Sequence, residues 1–267
     1  MPLIRPFPGL RPAAGRGGEV LAPPYDVLDT EEAREQARGR PWSFLHISKP
    51  EIDFPPGTDP HDPAVYRKAA ANLEAMIEAG VLAQDPGPRY YVYRLEIEGH
   101  RQTGLVAAAA ADAYESNRIR KHEHTRPDKE DDRVRQIEAL GVQTGPALLA
   151  YRARDEVDAL IGEGARGEPV IDETDAGGVR HRLWAVEDPA LLERLTGAFE
   201  ALDGLYIADG HHRSAAAARL AARRRARNPR HTGAEAYNYF LAVIFPHAQM
   251  RILDYNRVVR DLNGLEP

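Results

Sequence analysis

The sequence predicts a mixed α+β (mixed α/β) chain, and three observations carry that prediction. Apolar residues recur at three- and four-residue steps in separate stretches, as in Val65, Ala69, Leu73, Met76 and Ile77, which is the period of a helix with one buried face. The run Arg89–Glu98, RYYVYRLEIE, alternates instead and is rich in aromatic and β-branched residues, which is the period of a strand. Helical and extended stretches then follow one another without a strict βαβ period. A chain of 267 residues is long enough for one large domain or two ordinary ones. The expected division is an N-terminal arm and helical region over 1–85 and a mixed α/β core over 86–267.

In order, the first thirty residues are rich in Pro and Gly, and Pro23-Pro24-Tyr25-Asp26 cannot lie inside a helix because each ring fixes φ and removes a donor. Asp29 or Thr30 reads as an N-cap, with Glu31 and Glu32 in the first turn of a short helix to Arg38. Trp42 to Ile47 reads as a strand and the proline-rich 50–63 segment as a loop. A helix is expected from Pro63 to the stop at Gly80, and a hairpin from Arg89–Glu98, the Gly99-His100 break and Gln102–Ala110. Ser116 to Glu123 reads as extended, followed by a charged helix from Arg126-Pro127-Asp128 to Leu140. Thr144–Tyr151 and Arg180–Val186 are expected strands, and Pro189–Leu202 a helix with Leu191, Leu192, Leu195 and Phe199 on one face. The series closes with a strand at 204–208, an Ala/Arg helix at Ser214–Arg227 and an apolar strand at Tyr237–Phe245. The last residues, 261–267, carry no ending element, so the chain is expected to be truncated at its C-terminus.

Composition removes several function classes. The formal charge of −6 disfavours a nucleic-acid coat or an anionic membrane as partner. With no cysteine there are no disulfides, thiolate metal sites or thiol nucleophiles, which fits a reducing cytoplasm. No stretch has the length of a signal peptide's apolar core or of a membrane span. Neither a GxSxG elbow nor HExxH occurs. Gly15-Arg16-Gly17-Gly18 lacks the preceding strand and the lysine of a phosphate loop, and Arg223 to Arg227 are cations where a helix end favours them.

Two segments carry chemistry. In the first, Ala208-Asp209-Gly210-His211-His212-Arg213, an apolar strand turns through Asp-Gly into a helix, and a helix N-terminus offers unpaired N–H groups and partial positive charge to an anion. Arg213 in the first turn opposes the dipole at a cost of about 0.3–1 kcal/mol, which a bound anion would offset. The second is Lys121-His122-Glu123-His124-Thr125 with Lys129. The chain uses 31 arginines and four lysines, yet two of those lysines fall within nine residues here. An ammonium suits a phosphate, and Glu123 can take a hydroxyl proton. In an extended segment His122 and His124 share one face and Glu123 takes the other.

The chain resembles the family called domain of unknown function 1015. The resemblance rests on Pro23-Pro24-Tyr25-Asp26-Val27, Phe44-Leu45-His46-Ile47, Tyr90-Tyr91-Val92-Tyr93 with Arg101 and Gly104, His122-Glu123-His124-Thr125 with Lys129 and Asp132-Arg133, and Ala208 to Arg213. More distantly, a His-Glu followed by Asp-Gly-His-x-Arg before a helix is similar to the ParB/sulfiredoxin superfamily, which includes free-serine kinases. That resemblance implies a ParB/sulfiredoxin-like core with an added N-terminal α+β region. It implies ATP or ADP with Mg²⁺, Glu123 and His122 as catalytic residues, and Asp209, Gly210, His211, His212, Arg213, Lys121 and Lys129 as nucleotide-binding residues. The sulfiredoxin cysteine is absent. The function expected is nucleotide-dependent phosphoryl transfer to a small hydroxylated metabolite. Two other readings stand beside it: a nucleotide-binding regulatory switch of ParB type, and a metal-dependent hydrolase using His122, His124, His211 and His212.

Overall fold

Short-range chemistry accounts for most of the elements in the computed structural model, which describes residues 1–252, 259, 261, 263 and 264. The chain opens with β1 (Ile4–Arg5), β2 (Leu10–Pro12), α1 (Gly17–Val20) and a 3-10 turn at Tyr25–Val27. α2 (Thr30–Ala37) begins with a capping box, Asp29 accepting from the Glu32 N–H and Glu32 from the Asp29 N–H. After α3 (Leu45–Ser48), α4 (Pro63–Glu78) starts with Pro63 at N1 and the Asp62 side chain accepting from the Ala64 N–H, and it buries Val65, Ala69, Leu73 and Met76. β3 (Leu82–Gln84) pairs with β2, and β4 (Tyr90–Ile97) and β5 (His100–Ala110) form the long hairpin, turned at Glu98 and Gly99 with φ of 47° and 78°.

Beyond the hairpin come α5 (Ala111–Glu115), β6 (Ile119–Arg120), α6 (Pro127–Leu140), β7 (Ala147–Tyr151), α7 (Asp155–Gly164), β8 (Ile171–Thr174) and β9 (Arg180–Val186). α8 (Pro189–Glu200), β10 (Leu205–Asp209), α9 (His211–Arg227) and β11 (Tyr239–Pro246) complete the described elements. Nine of the strands form one mixed sheet in the order β6-β10-β7-β11-β5-β4-β9-β8, with β1 alongside the end of β5. The β6–β10 and β7–β11 pairs are parallel and the others antiparallel. The principal core gathers the inward side chains of this sheet with Val157, Leu160 and Ile161 of α7 and Leu191, Leu195 and Phe199 of α8. A second cluster joins Val20, Ile47, Leu73, Met76 and Val81 to Leu140 of α6, and a smaller third one holds Ala33, Ala37, Leu45 and Ile52. α9 lays a run of buried alanines, 215 to 218 and 221, inside the protein, and its Arg219 pairs with Glu130 and Asp131 of α6.

Several local expectations are corrected. Trp42–Ile47 is not a strand; residues 45–48 form the helical turn α3. Leu45 and Ile47 alternate as strand residues would, and both are fully buried, but the turn delivers them to different clusters, Leu45 to the third and Ile47 to the second. Only Ile119–Arg120 of the extended 116–123 segment is a strand. Asp155–Gly164, unassigned from the sequence, is α7, with Val157, Leu160 and Ile161 at helical spacing. α9 begins at His211 rather than Ser214, whose N–H and hydroxyl both donate back to the Gly210 carbonyl. The 261–267 ending falls largely outside the described residues.

Candidate functional site

β10 delivers Asp209 to the end of the sheet where β7 begins, and Gly210 then reverses the chain into α9 with φ 90° and ψ 31°. Only glycine takes this left-handed conformation cheaply, and a Cβ here would lie 3.1 Å from the Ala147 Cα of β7. No side chain caps α9, and the N–H groups of 211–213 have no acceptor among the described residues. The helix start is therefore an uncapped positive end, as the strand–Asp-Gly–helix pattern leads one to expect.

His211 points inward, its side chain 4% exposed, with Nδ1 3.2 Å from Glu123 Oε2. Its ring meets that of His122 edge-on, centroids 4.5 Å apart. Burial and then the neighbouring His122 push the His211 pKa down, against the weaker upward pull of Glu123 and Asp209, so the imidazole is neutral at pH 7. The Glu123 carboxylate beside Nδ1 favours the tautomer protonated there, with the lone pair on Nε2. That Nε2 is buried and has no partner among the described residues. His212 accepts at Nε2 from the Arg126 N–H at 3.2 Å, which fastens the start of α6 to the start of α9. The two sequence motifs thus meet, although 88 positions of chain separate Glu123 from His211.

Arg213 is already engaged. One guanidinium nitrogen donates to the Pro146 carbonyl, and another to Asp209 at 2.7 Å and Asp26 at 3.1 Å. Asp26 comes from the N-terminal arm, and Tyr25 beside it lies under two cations, Arg133 at 4.3 Å and Arg213 at 6.0 Å from its ring centre. Arg133 is held by Asp132, which also accepts from the Tyr66 hydroxyl at 2.6 Å. Burial works to raise the Asp132 pKa, but the Arg133 cation and the Tyr66 hydrogen bond outweigh it and keep the carboxylate ionised. Tyr25 and Asp26 were not among the residues expected at the site. Their signal was the Pro-Pro that stiffens the arm just before them.

The two lysines differ in their surroundings. Lys121 donates to the Tyr114 carbonyl at 2.9 Å and packs its ammonium 4.2 Å from the Tyr114 ring centre, toward α5. Lys129 is exposed in the first turn of α6, without an ion pair among the described residues. His124 is also exposed, and Thr125 is hydrogen-bonded to Glu130. Among the described residues, no three His, Asp or Glu side chains are grouped so as to hold a metal ion, so the four imidazoles do not make a ligand set. Two cavities, of about 620 Å³ beside α8 and about 370 Å³ beside α7, are lined by other residues. The 209–213 turn instead stands at an open rim, where Glu123 and Asp209 are 57% and 62% exposed. Among the described residues, no helix is long and apolar enough to cross a membrane.

No curated protein and no solved structure matches the chain. A family model described as "Protein of unknown function (DUF1015)" matches residues 4–267, nearly the whole sequence, and it is to this family that the chain belongs.

Proposed function

We propose that the start of α9 and the 122–123 segment form the phosphate seat and base of a cytoplasmic, nucleotide-dependent phosphotransferase acting on a small hydroxylated metabolite, with the sheet and α9 as a ParB/sulfiredoxin-like core. The observation that carries the reading is the Glu123–His211 contact, which sets a carboxylate and a neutral imidazole at an uncapped helix N-terminus. The N–H groups of 211–213 would face the phosphates, and the exposed Asp209 carboxylate is the residue suited to a Mg²⁺ shared with them. Bound ATP or ADP with Mg²⁺ would supply the phosphoryl group and the counter-charge that phosphoryl transfer needs. Glu123 would take the proton of the acceptor hydroxyl as its oxygen bonds to phosphorus and the bond to the leaving phosphate breaks. Arg213 would exchange Asp26 for a phosphate oxygen. Lys121 would reach a ligand only by leaving Tyr114, whereas Lys129, exposed in the first turn of α6, is free to turn toward one.

The test is a thermal-shift panel of ADP, ATP, CTP and pyrophosphate with Mg²⁺, since a ligand that binds the folded state alone raises its stability. A shift from one nucleotide, lost in Arg213→Ala, is expected. Glu123→Gln should keep that shift and lose turnover with serine or another hydroxy acid. Absence of any shift, or a full rate in E123Q, would overturn the assignment. A second reading, a nucleotide-binding switch of ParB type without turnover, is favoured by the Asp26–Arg213 contact, because a ligand taking Arg213 would release the N-terminal arm. Nucleotide-dependent dimer closure without product formation would select it.

A further inference from the structure

The end of the sheet opposite the 209–213 turn, where β7 and β11 finish and β5 begins, holds a second concentration of charge that the phosphotransferase reading does not use. On the face covered by α7, the cross-strand pairs Arg94↔Thr103, Arg94↔Arg182 and Glu96↔Arg101 bring three guanidinium groups together. Glu96 serves two of them, accepting from Arg101 at 2.8 Å and Arg182 at 2.5 Å. Arg94 forms no ion pair with it, and the upward pull of Glu96 on the Arg94 pKa is outweighed by burial and by Arg182 and Arg101. The Arg94 Nε donates to the Thr103 hydroxyl at 2.9 Å and its guanidinium lies 4.9 Å from the Trp184 ring centre, but its outer nitrogens have no acceptor among the described residues. The Nε of Arg182 is likewise buried without a partner there.

These groups border a cavity of about 370 Å³ lined by Arg94, Arg101, Thr103, Tyr151, Asp158 and Gln249, with Ile161 and Gly162 of α7 completing the wall. Gln249 is held in place by the Thr103 N–H, which donates to its Oε1 at 2.8 Å, and its amide N–H groups have no acceptor among the described residues. We propose that this cavity is a binding site for a small organic anion whose carboxylate or phosphate group accepts the forked donors of Arg94, with Arg101 and Gln249 as further donors. Burial and then the neighbouring Arg182 and Arg101 push the Arg94 pKa down, the strain that an arriving anion relieves. The volume lies at the small end of ligand pockets, which suits a small metabolite. Asp158, which accepts from the Tyr151 hydroxyl, puts a carboxylate on the same cavity and selects against high negative charge on the ligand.

The experiment titrates the full chain with inorganic phosphate and with succinate at constant ionic strength, using calorimetry and thermal shift. Saturable binding of one of them is expected, weakened on the order of tenfold in Arg94→Gln and unchanged in Arg38→Gln, whose side chain is 74% exposed and lies outside both sites. The better probe identifies the ligand's anionic group as phosphate or carboxylate. If R94Q does not fold, Arg101→Gln carries the test, its side chain being 64% exposed and free to change without disturbing the core. No saturable binding of either probe, a response that chloride reproduces, or equal binding in the variants would overturn the site. Nucleotide binding that is lost in R213A and kept in R94Q reports on the other end of the sheet, so the two assignments fail separately.

Discussion

Alanine at position 210 is the most direct probe of the strand-to-helix turn. An L-residue in the left-handed conformation, φ 90° here, costs about 1–2 kcal/mol. The new Cβ would also lie 3.1 Å from the Ala147 Cα, so β7 must give by a few tenths of an ångström, which at the low end of overpacking costs about 1 kcal/mol. Alanine returns about 0.4–1 kcal/mol by restricting the unfolded chain. The net loss is about 1–2.6 kcal/mol. Gly99→Ala is the control, because the hairpin turn has φ 78° and nothing within 4 Å of a Cβ, so it bears the backbone term without the contact. In a protein of this size G210A should melt about 2–4 °C below G99A. Scanning calorimetry, with denaturant midpoints as a check, measures the difference. If G210A is as stable as G99A or more so, β7 yields without cost and the close approach does not constrain the turn. A nucleotide shift that survived G210A unchanged would also detach the phosphate seat from this backbone geometry.

Two other variants test the surroundings of the site. Asp26→Asn removes a competitor for Arg213; as the carboxylate is 41% exposed the pair is worth little, about 0.4–1 kcal/mol, so pyrophosphate or nucleotide affinity should rise about two- to fivefold, and an unchanged or weaker affinity would deny Arg213 a part in binding. His211 bears on pH: burial and His122 lower its pKa below the unfolded value of about 6.5, so between the two values the unfolded chain binds more protons. Its contribution to stability is complete above about pH 6.5 and is lost as the pH falls through that value toward the folded one. Denaturant midpoints between pH 7 and 5 should therefore fall less steeply in His211→Asn than in the wild type; parallel slopes would refute the assignment.

The site was legible in the sequence where its signals were local. Asp209-Gly210 before a helix needs only the conformational freedom of glycine and the orphan donors of a helix start, and both are present at 209–213. Pro127 at N1 and Gly141 at the end of α6, or the alternation of β4, are equally short-range. That Lys121 turns to Tyr114, seven positions back, was not legible because charge and rarity say nothing about direction. Tyr25 and Asp26 were read as part of the arm and not of the site because Arg213, the partner of Asp26, stands 187 positions away.

What the sequence by itself determined are the elements whose period, caps and turn residues act within a few positions: the β4–β5 hairpin, α4, α6, α8 and the turn into α9. Only the tertiary structure decided which strands are neighbours, that His122 and Glu123 face His211, that the N-terminal arm reaches Arg213, and that Arg94 borders a cavity with Thr103 as its hydrogen-bond partner and no ion pair among the described residues. The reason is physical. Propensities and caps depend on atoms a turn or two apart, whereas strand order and the meeting of charges depend on how several apolar faces, each compatible with many partners, are buried at the same time.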